Sequence, residues 1–323
     1  MSYTSCYFIE QFSVVFNNGL GFCCKTGFVS NRPKWDLYGI TAARLVDNMI
    51  EHRRLLIETF RQDNQMVYHD CKGCKRLEYN DWDTSEKVTY VNFSYYPAPC
   101  NCKCIYCNVW GYLNNSYKNC KEDIIIPKFL EIVSELRSRD LFSDKCEVQI
   151  SPGEITIHPY KEELLDALPG FRYRIFTNAS TYDKKIAEVL QRGKSEVFVS
   201  LDSGTRETYN KVKGMDCFEK VIANLKRYNE DGTVFLKYIL LPGINDSDED
   251  IAGFLDIVKK YGGNRFKLAR DSREKNISEA VYWAAARFIA RADDKGTVWY
   301  TVYFNQQEQT VLGEYIRAMS RFY

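Results

Sequence analysis

From residue 87 onward, short apolar runs alternate with longer segments whose apolar residues recur every three to four positions. The short runs, at 87–93, 147–151, 172–177, 196–201, 233–240 and 265–268, have the β-branched and aromatic content of buried strands. The segments at 127–139, 160–167, 182–191, 216–229, 248–260 and 278–291 have helical spacing. Repeated strand–helix alternation predicts a parallel sheet with right-handed crossovers. The tail adds a strand at 297–304 and a helix at 306–321. Residues 1–85 follow another pattern: a strand at 11–16, a turn at 17–19, a return strand at 20–24, and a helix at 40–62.

Six strand–helix units, where a closed barrel has eight, predict an α/β fold of the partial (β/α)6 TIM-like kind. The expected organisation is a small α+β module at 1–85, the partial barrel at 86–292, and a C-terminal strand and helix at 293–323 that complete the core. Active sites of parallel α/β sheets lie beyond the C-terminal ends of the strands. The distinctive residues fall there: the loop 100–107 after the first strand, Gly153 and Glu154 after the second, and Asn178 at the end of the third. Ser200 and Asp202 end the fourth, Gly243 and Ile244 follow the fifth, and Arg270 and Asp271 follow the sixth.

Composition narrows the chemistry. The formal net charge is +1, so no global field recruits nucleic acid or an anionic membrane. No apolar run is long enough to span a bilayer, and the N-terminus has no basic start followed by an apolar stretch. The expectation is a cytoplasmic protein without a membrane or nucleic-acid partner. In that setting the 12 cysteines read as metal ligands or catalytic groups in preference to disulfides. Cys100, Cys104 and Cys107 form C-x3-C-x2-C, with Tyr106 before the last cysteine. Three thiolates can hold three corners of a cubane cluster and leave one iron open; soft sulfur ligands select iron–sulfur, zinc or copper(I). Cys6, Cys24 (or Cys23 in its place), Cys71 and Cys74 could close a second metal site, either iron–sulfur or zinc, or stay unliganded.

With the cysteine loop CNCKCIYC go four further stretches: SPGEITIHP (151–159), FTNAS (176–180), VSLDSGTRETYNKVKG (199–214) and KYILLPGINDS (237–247). Together, over roughly 88–270, they resemble the radical S-adenosylmethionine (radical SAM) superfamily. The resemblance implies a four-iron–four-sulfur cluster on Cys100, Cys104 and Cys107, with S-adenosylmethionine (SAM) chelating its open iron. It implies that Glu154 meets the methionine ammonium, that Ser200 and Asp202 lie near the ribose or methionine, and that Ile244 and its neighbours line the adenine. Tyr106, Gly153, Asn178 and Gly243 belong to the same expected cofactor site, and Lys213 stands where the family often has a basic residue near the methionine carboxylate. The chemistry implied is reductive cleavage to a 5′-deoxyadenosyl radical that abstracts hydrogen from a substrate, with a flavodoxin- or ferredoxin-like protein as external one-electron donor. The N-terminal pattern C-x12-G-x4-C with a downstream CxxC resembles the SPASM or twitch auxiliary-cluster modules, although those usually follow the radical domain. It implies a second four-iron–four-sulfur cluster that handles electrons.

Plainer roles stand beside these. Asp202 could cap a helix from Thr205. His158 could be a hydrogen-bonded structural histidine, and Asn178 could close a turn. Cys102 reads as a spectator within the loop. Cys217 is either a hydrogen-atom donor to a substrate radical, as an epimerase needs, or a packed small residue. The expected function is an oxidoreductase- or epimerase-type radical SAM enzyme acting on a peptide by oxidation, crosslinking or epimerisation. The alternatives are the same chemistry on a sugar or other small polar metabolite, and a metal-stabilised RNA-binding protein, against which the weak net charge argues.

Overall fold

The computed structural model describes residues 2–17, 19–23, 39–62, 71, 74, 76–94, 98–107, 122–274 and 276–319, apart from the side chains of 17 and 122–124. Cys24 and Cys120 therefore lie outside the described residues. Two compact units divide the chain: residues 1–99 with 116–174, and residues 100–115 with 175–323.

The first unit opens with β1 (Ser2–Cys6), a single helical turn α1 (Tyr7–Glu10), β2 (Ser13–Asn17), β3 (Gly19–Gly21) and α2 (Ala42–Arg61). Then come β4 (Leu77–Asp81), β5 (Val88–Phe93), α3 (Glu122–Ser138), β6 (Phe142–Ile150) and α4 (Lys161–Asp166). β4 pairs antiparallel with β1. A separate sheet has the order β6–β5–β2–β3, with β5 parallel to both β6 and β2 and β3 turning back on β2. Alternate residues Val14, Phe16, Val91, Phe93, Val148 and Ile150 are buried. Phe16 stacks on Phe93 at 5.0 Å and meets Phe129 of α3 at 4.5 Å, which seats α3 on the sheet. Two boundaries differ from the sequence reading. α3 starts before Pro127, because proline within a helix removes one hydrogen bond without forbidding the preceding turn. β6 starts at Phe142, through a polar stretch whose Asp144 and Lys145 face solvent.

β7 (Arg172–Thr177) carries the chain from the first unit into the second. The second unit continues with α5 (Lys184–Gln191), β8 (Glu196–Ser200), α6 (Arg206–Lys213), α7 (Phe218–Asp231), β9 (Thr233–Leu240), α8 (Asp248–Tyr261), β10 (Arg265–Arg270), α9 (Glu279–Asp294), β11 (Val298–Val302) and α10 (Gln306–Met319). β8, β9, β10 and β11 are neighbours in that order and run parallel. On one face Tyr238 and Phe266 meet Phe254 of α8 and Phe288 of α9 at 4.7–5.4 Å, a buried aromatic layer under the helices. The other face carries Phe198, Phe235, Lys237, Lys267 and Tyr300. The fold is α/β with a parallel sheet, and the order ends at β11 without closing into a barrel among the described strands. No described helix is long and apolar enough to cross a membrane.

Candidate metal and cofactor centre

The cysteine loop is held along its length by the second unit. Asn101 donates from Nδ2 to Ser180 Oγ at 2.8 Å and accepts from Asn178 Nδ2 at 2.8 Å. The backbone N–H groups of Lys103 and Ile105 donate to the carbonyls of Lys213 and Val212 at 2.9 and 3.0 Å. These are C-terminal carbonyls of α6, which have no partner within their own helix, so loop and helix end satisfy each other. Gly214 ends α6 at φ 66°, and a Cβ there would lie 2.9 Å from Lys103 Cβ. Cys102 is buried, with its Sγ 3.0 Å from Met215 Sδ. Arg273, paired with Asp271, donates from Nη1 to the Ile105 carbonyl at 2.7 Å.

Beneath the loop lies a buried ionic triad. Lys213 and Asp202 form an ion pair with 1% and 0% of their surfaces exposed. Tyr106 donates its hydroxyl to Asp202 Oδ2 at 2.5 Å and accepts from Lys213 Nζ at 2.7 Å. The other Asp202 oxygen accepts from the Ile239 amide at 2.6 Å. Burial works against the Lys213 ammonium, but Asp202 and the Cys104 thiol outweigh it and hold its pKa above the ordinary value. Burial, reinforced by Asp202, raises the Tyr106 phenol well above its usual range. The Cys104 thiol is brought down to about 6 by a hydrogen bond from Cys102, with help from Lys213 against the cost of burial. Asp202 is thus not the helix cap considered from sequence: Thr205 fills that role, its hydroxyl accepting from Thr208 N at 3.3 Å. Asn245 supports the triad from below, donating to the carbonyls of Asp202 and Ile239 at 2.9 and 2.8 Å. Tyr106 and Ile244 pack against Val212, Ile239, Leu241 and Ala269.

In the first unit, Glu154 is buried and caps a short turn, accepting from Thr156 N and Oγ1 at 3.0 and 2.7 Å. Its own N–H donates to the carbonyl of Pro99, the residue before Cys100, at 2.8 Å. Gly153 is at φ 46°, and a Cβ there would stand 2.4 Å from that same carbonyl, so only glycine fits. His158 Nδ1 accepts from Tyr160 N at 3.2 Å, its Nε2 is buried without a partner among the described residues, and burial pushes its pKa down to about 4.

Residues 98–255 match the Radical SAM superfamily. The chain carries a radical SAM domain. Over 172 residues it is 26% identical to a "Probable GTP 3',8-cyclase" of Saccharolobus islandicus, 52% of this chain and 53% of that one. A protein of the same description from Methanosarcina acetivorans is 30% identical over 169 residues, 51% and 49% of the two chains. The chain thus spans about half the length of the curated relatives it matches. Among solved structures, Streptococcus suis SuiB bound to its precursor peptide SuiA superposes with a TM-score of 0.53 at 18% identity, covering 78% of this chain and 53% of SuiB.

Radical SAM domains bind a four-iron–four-sulfur cluster and SAM, and the loop's donor set fits that cluster. Cys100, Cys104 and Cys107 are in no disulfide and are half-buried, and the Cys104 thiol is held toward the thiolate. No three His, Cys, Asp or Glu side chains among the described residues converge on a point for one metal ion. A cubane does not ask for that, because each thiolate takes a different iron. Cys102, read as a spectator, hydrogen-bonds with Cys100 and Cys104 inside the loop. Cys217 begins α7 with its Sγ 3.4 Å from the buried Tyr209 hydroxyl. Asn178 both closes a turn, through Ser180 N at 2.9 Å, and reaches the loop. Gly243 is at φ 77° and donates to Asp246 Oδ1 at 2.7 Å. Among the N-terminal cysteines, Cys6 is pushed up to about 11, by burial first and also by the neighbouring thiols of Cys23 and Cys74. The Cys74 N–H donates to the Cys71 carbonyl at 3.0 Å.

Sequence reasoning passed over Met215 and Arg273, assigned no role to Asn101, and missed α6 as the loop's anchor. Basic Lys211 and Lys213 followed by Gly214 form a helix-stop signal that could have revealed it.

Proposed function

We propose that this chain is a radical SAM enzyme that abstracts hydrogen from an organic substrate, a peptide in the preferred reading. The observation that carries the chemistry is the C-x3-C-x2-C loop held from Asn101 to Tyr106 against a buried Lys213–Asp202–Tyr106 triad. When bound, the cluster and SAM supply a 5′-deoxyadenosyl radical. Cys100, Cys104 and Cys107 hold the metal, and Glu154 takes the methionine ammonium through a charge-assisted hydrogen bond. Ser200, Asp202, Asn178 and Gly243 belong to the cofactor pocket. Tyr106 and Ile244 keep water from it with the apolar layer they share. The Lys213 ammonium offsets negative charge beside the loop and supports a methionine carboxylate. Cys217 is the candidate hydrogen donor for an epimerisation.

The peptide reading takes its substrate from SuiB, whose structure contains one. The GTP named for the curated relatives supports the alternative of a small polar metabolite. Grouping of Cys6, Cys23 and Cys74 supports a second cluster in the first unit, serving electron transfer. A flavodoxin- or ferredoxin-like donor supplies the reducing electron.

Anaerobically reconstituted protein is expected to hold about eight irons per chain and to release 5′-deoxyadenosine from SAM with dithionite. Alanine at Cys100, Cys104 or Cys107 abolishes that release, and Cys74→Ala leaves about four irons. Bound zinc with no SAM cleavage would refute the enzyme; unchanged iron in Cys74→Ala would refute the second cluster.

A further inference from the structure

The first unit's sheet has one face covered and one partly exposed. On the α3 side Val91, Phe93, Val148 and Ile150 are buried. Side chains alternate across a strand, and the opposite positions Tyr90, Glu147, Gln149, Arg172 and Arg174 are half-buried. These are polar, and register sets them side by side: Tyr90 is opposite Glu147, and Asn92 is opposite Gln149.

Hydrogen bonds link four of these side chains into one network. The Tyr90 hydroxyl donates to Gln149 Oε1 at 2.9 Å, Gln149 Nε2 donates to Ser151 Oγ at 3.3 Å, and Ser151 Oγ donates to Asn92 Oδ1 at 3.4 Å. The network ends on an amide whose donors are unused. Asn92 is 5% exposed, and its Nδ2 has no partner among the described residues. Ser13, in register with Tyr90, is fully buried, and its Oγ also lacks a partner among the described residues. The face thus holds polar demand that its own side chains do not meet, which is costly unless another molecule meets it. Tyr90, Gln149, Ser151 and Asn92 carry no formal charge. The charges nearby are engaged with one another: Glu147 pairs with Arg172 at 2.8 Å and with Arg174 at 2.9 Å. Ser151 stands just past β6, its N–H on the Phe93 carbonyl at 2.8 Å, and Gly153 and Glu154 follow it directly after Pro152. The unused amide therefore lies at the strand end that carries the expected ligand of the methionine ammonium.

We propose that Asn92 recognises a neutral amide of the substrate, the main chain of an extended peptide in the preferred reading, and that Gln149 positions Asn92 through Ser151. This rests on the radical SAM enzyme reading and names what its substrate must offer. The Asn92 side chain presents Nδ2–H donors and the second lone pair of Oδ1 in one plane. In an extended peptide the N–H and C=O of one residue point to the same side, as when paired strands exchange both bonds, so Asn92 can meet both at once. A lactam of a nucleobase carries the same donor and acceptor side by side. A carboxylate or phosphate would be taken out of water by a neutral network, which costs more than burying an amide.

The test needs no cluster. Side-chain amide signals of Asn92 and Gln149 in the full metal-free chain, assigned by their loss in Asn92→Asp and Gln149→Glu, are followed by heteronuclear NMR. The probes, added separately, are N-acetylglycine N-methylamide, guanosine, acetate and methyl glucoside. At least one of the first two is expected to shift both signals saturably. Its binding should be about tenfold or more weaker in Asn92→Asp, read at Gln149, and in Gln149→Met, read at Asn92, in line with loss of a hydrogen bond that leaves its partner unmet. Asn92→Asp is isosteric and Gln149→Met keeps the side chain's length, so the result does not hang on one variant folding. Saturation by the blocked glycine points to a peptide main chain, and by guanosine to a metabolite carrying a base; either supports the site. No saturable shift with these two, tighter binding of acetate or methyl glucoside, or undiminished binding to either variant overturns it. Missing SAM cleavage in the wild-type holoprotein would instead sink the enzyme reading, so the two fail separately.

Discussion

Lys213 and Asp202 bring opposite charges into a place where neither could stand alone. Breaking a buried pair from one side costs about 3–5 kcal/mol, because the remaining charge is uncompensated, whereas replacing both partners is often close to neutral. Urea unfolding of the metal-free chain should show Lys213→Met strongly destabilised. Lys213→Met/Asp202→Asn should be markedly less destabilised than the sum of its single variants, and simple additivity would contradict the geometry. His158 makes a second prediction at this scale. Burial lowers its pKa to about 4 from the ordinary 6.5, so the fold holds the neutral imidazole. Its stabilising contribution is complete above pH 6.5 and is lost as pH falls toward 4, by up to about 3 kcal/mol. His158→Asn should flatten stability between pH 6.5 and 4, measured by chemical unfolding at a series of pH values. A slope equal to wild type would mean that the imidazole is not held neutral.

Among the elements, α6 does more than its length suggests. Its last carbonyls receive the cysteine loop, and Gly214 lets the loop approach. Alanine at 214 would need a left-handed backbone, costing about 1–3 kcal/mol, and would place its Cβ 2.9 Å from Lys103. Gly214→Ala is therefore expected to lower both the melting temperature and the iron retained after reconstitution. A loss of stability alone, with full iron, would show that the contact does not shape the loop. This anchor was hidden in the sequence because its working parts are backbone carbonyls, which leave no side-chain signature. β1 and β4 were hidden for another reason: each is short, β4 is mostly exposed, and their pairing joins Ser2–Cys6 to Leu77–Asp81 across a long separation. The long strands read well. β7 and β9 span the runs read from the sequence, because the buried apolar positions along each mark its length.

At the scale of the molecule, strand–helix alternation was enough to recover a parallel α/β fold, because it reports burial that the whole sheet imposes. The cysteine spacing is enough to nominate the candidate metal loop, because ligand identity is a property of side chains alone. The triad was not legible: Asp202, Lys213 and Tyr106 are ordinary residues until the fold sets them against one another. Small metal-binding domains often acquire their shape only when the ion arrives. Here the loop's amides and side chains already have their partners in helix α6, Asn178, Ser180, Asp202 and Arg273, so the chain can fold first and be loaded afterwards. On the proposed reading, cluster assembly would then be a late maturation step performed on a finished scaffold, and a protein stripped of its iron would stay intact and could be charged again.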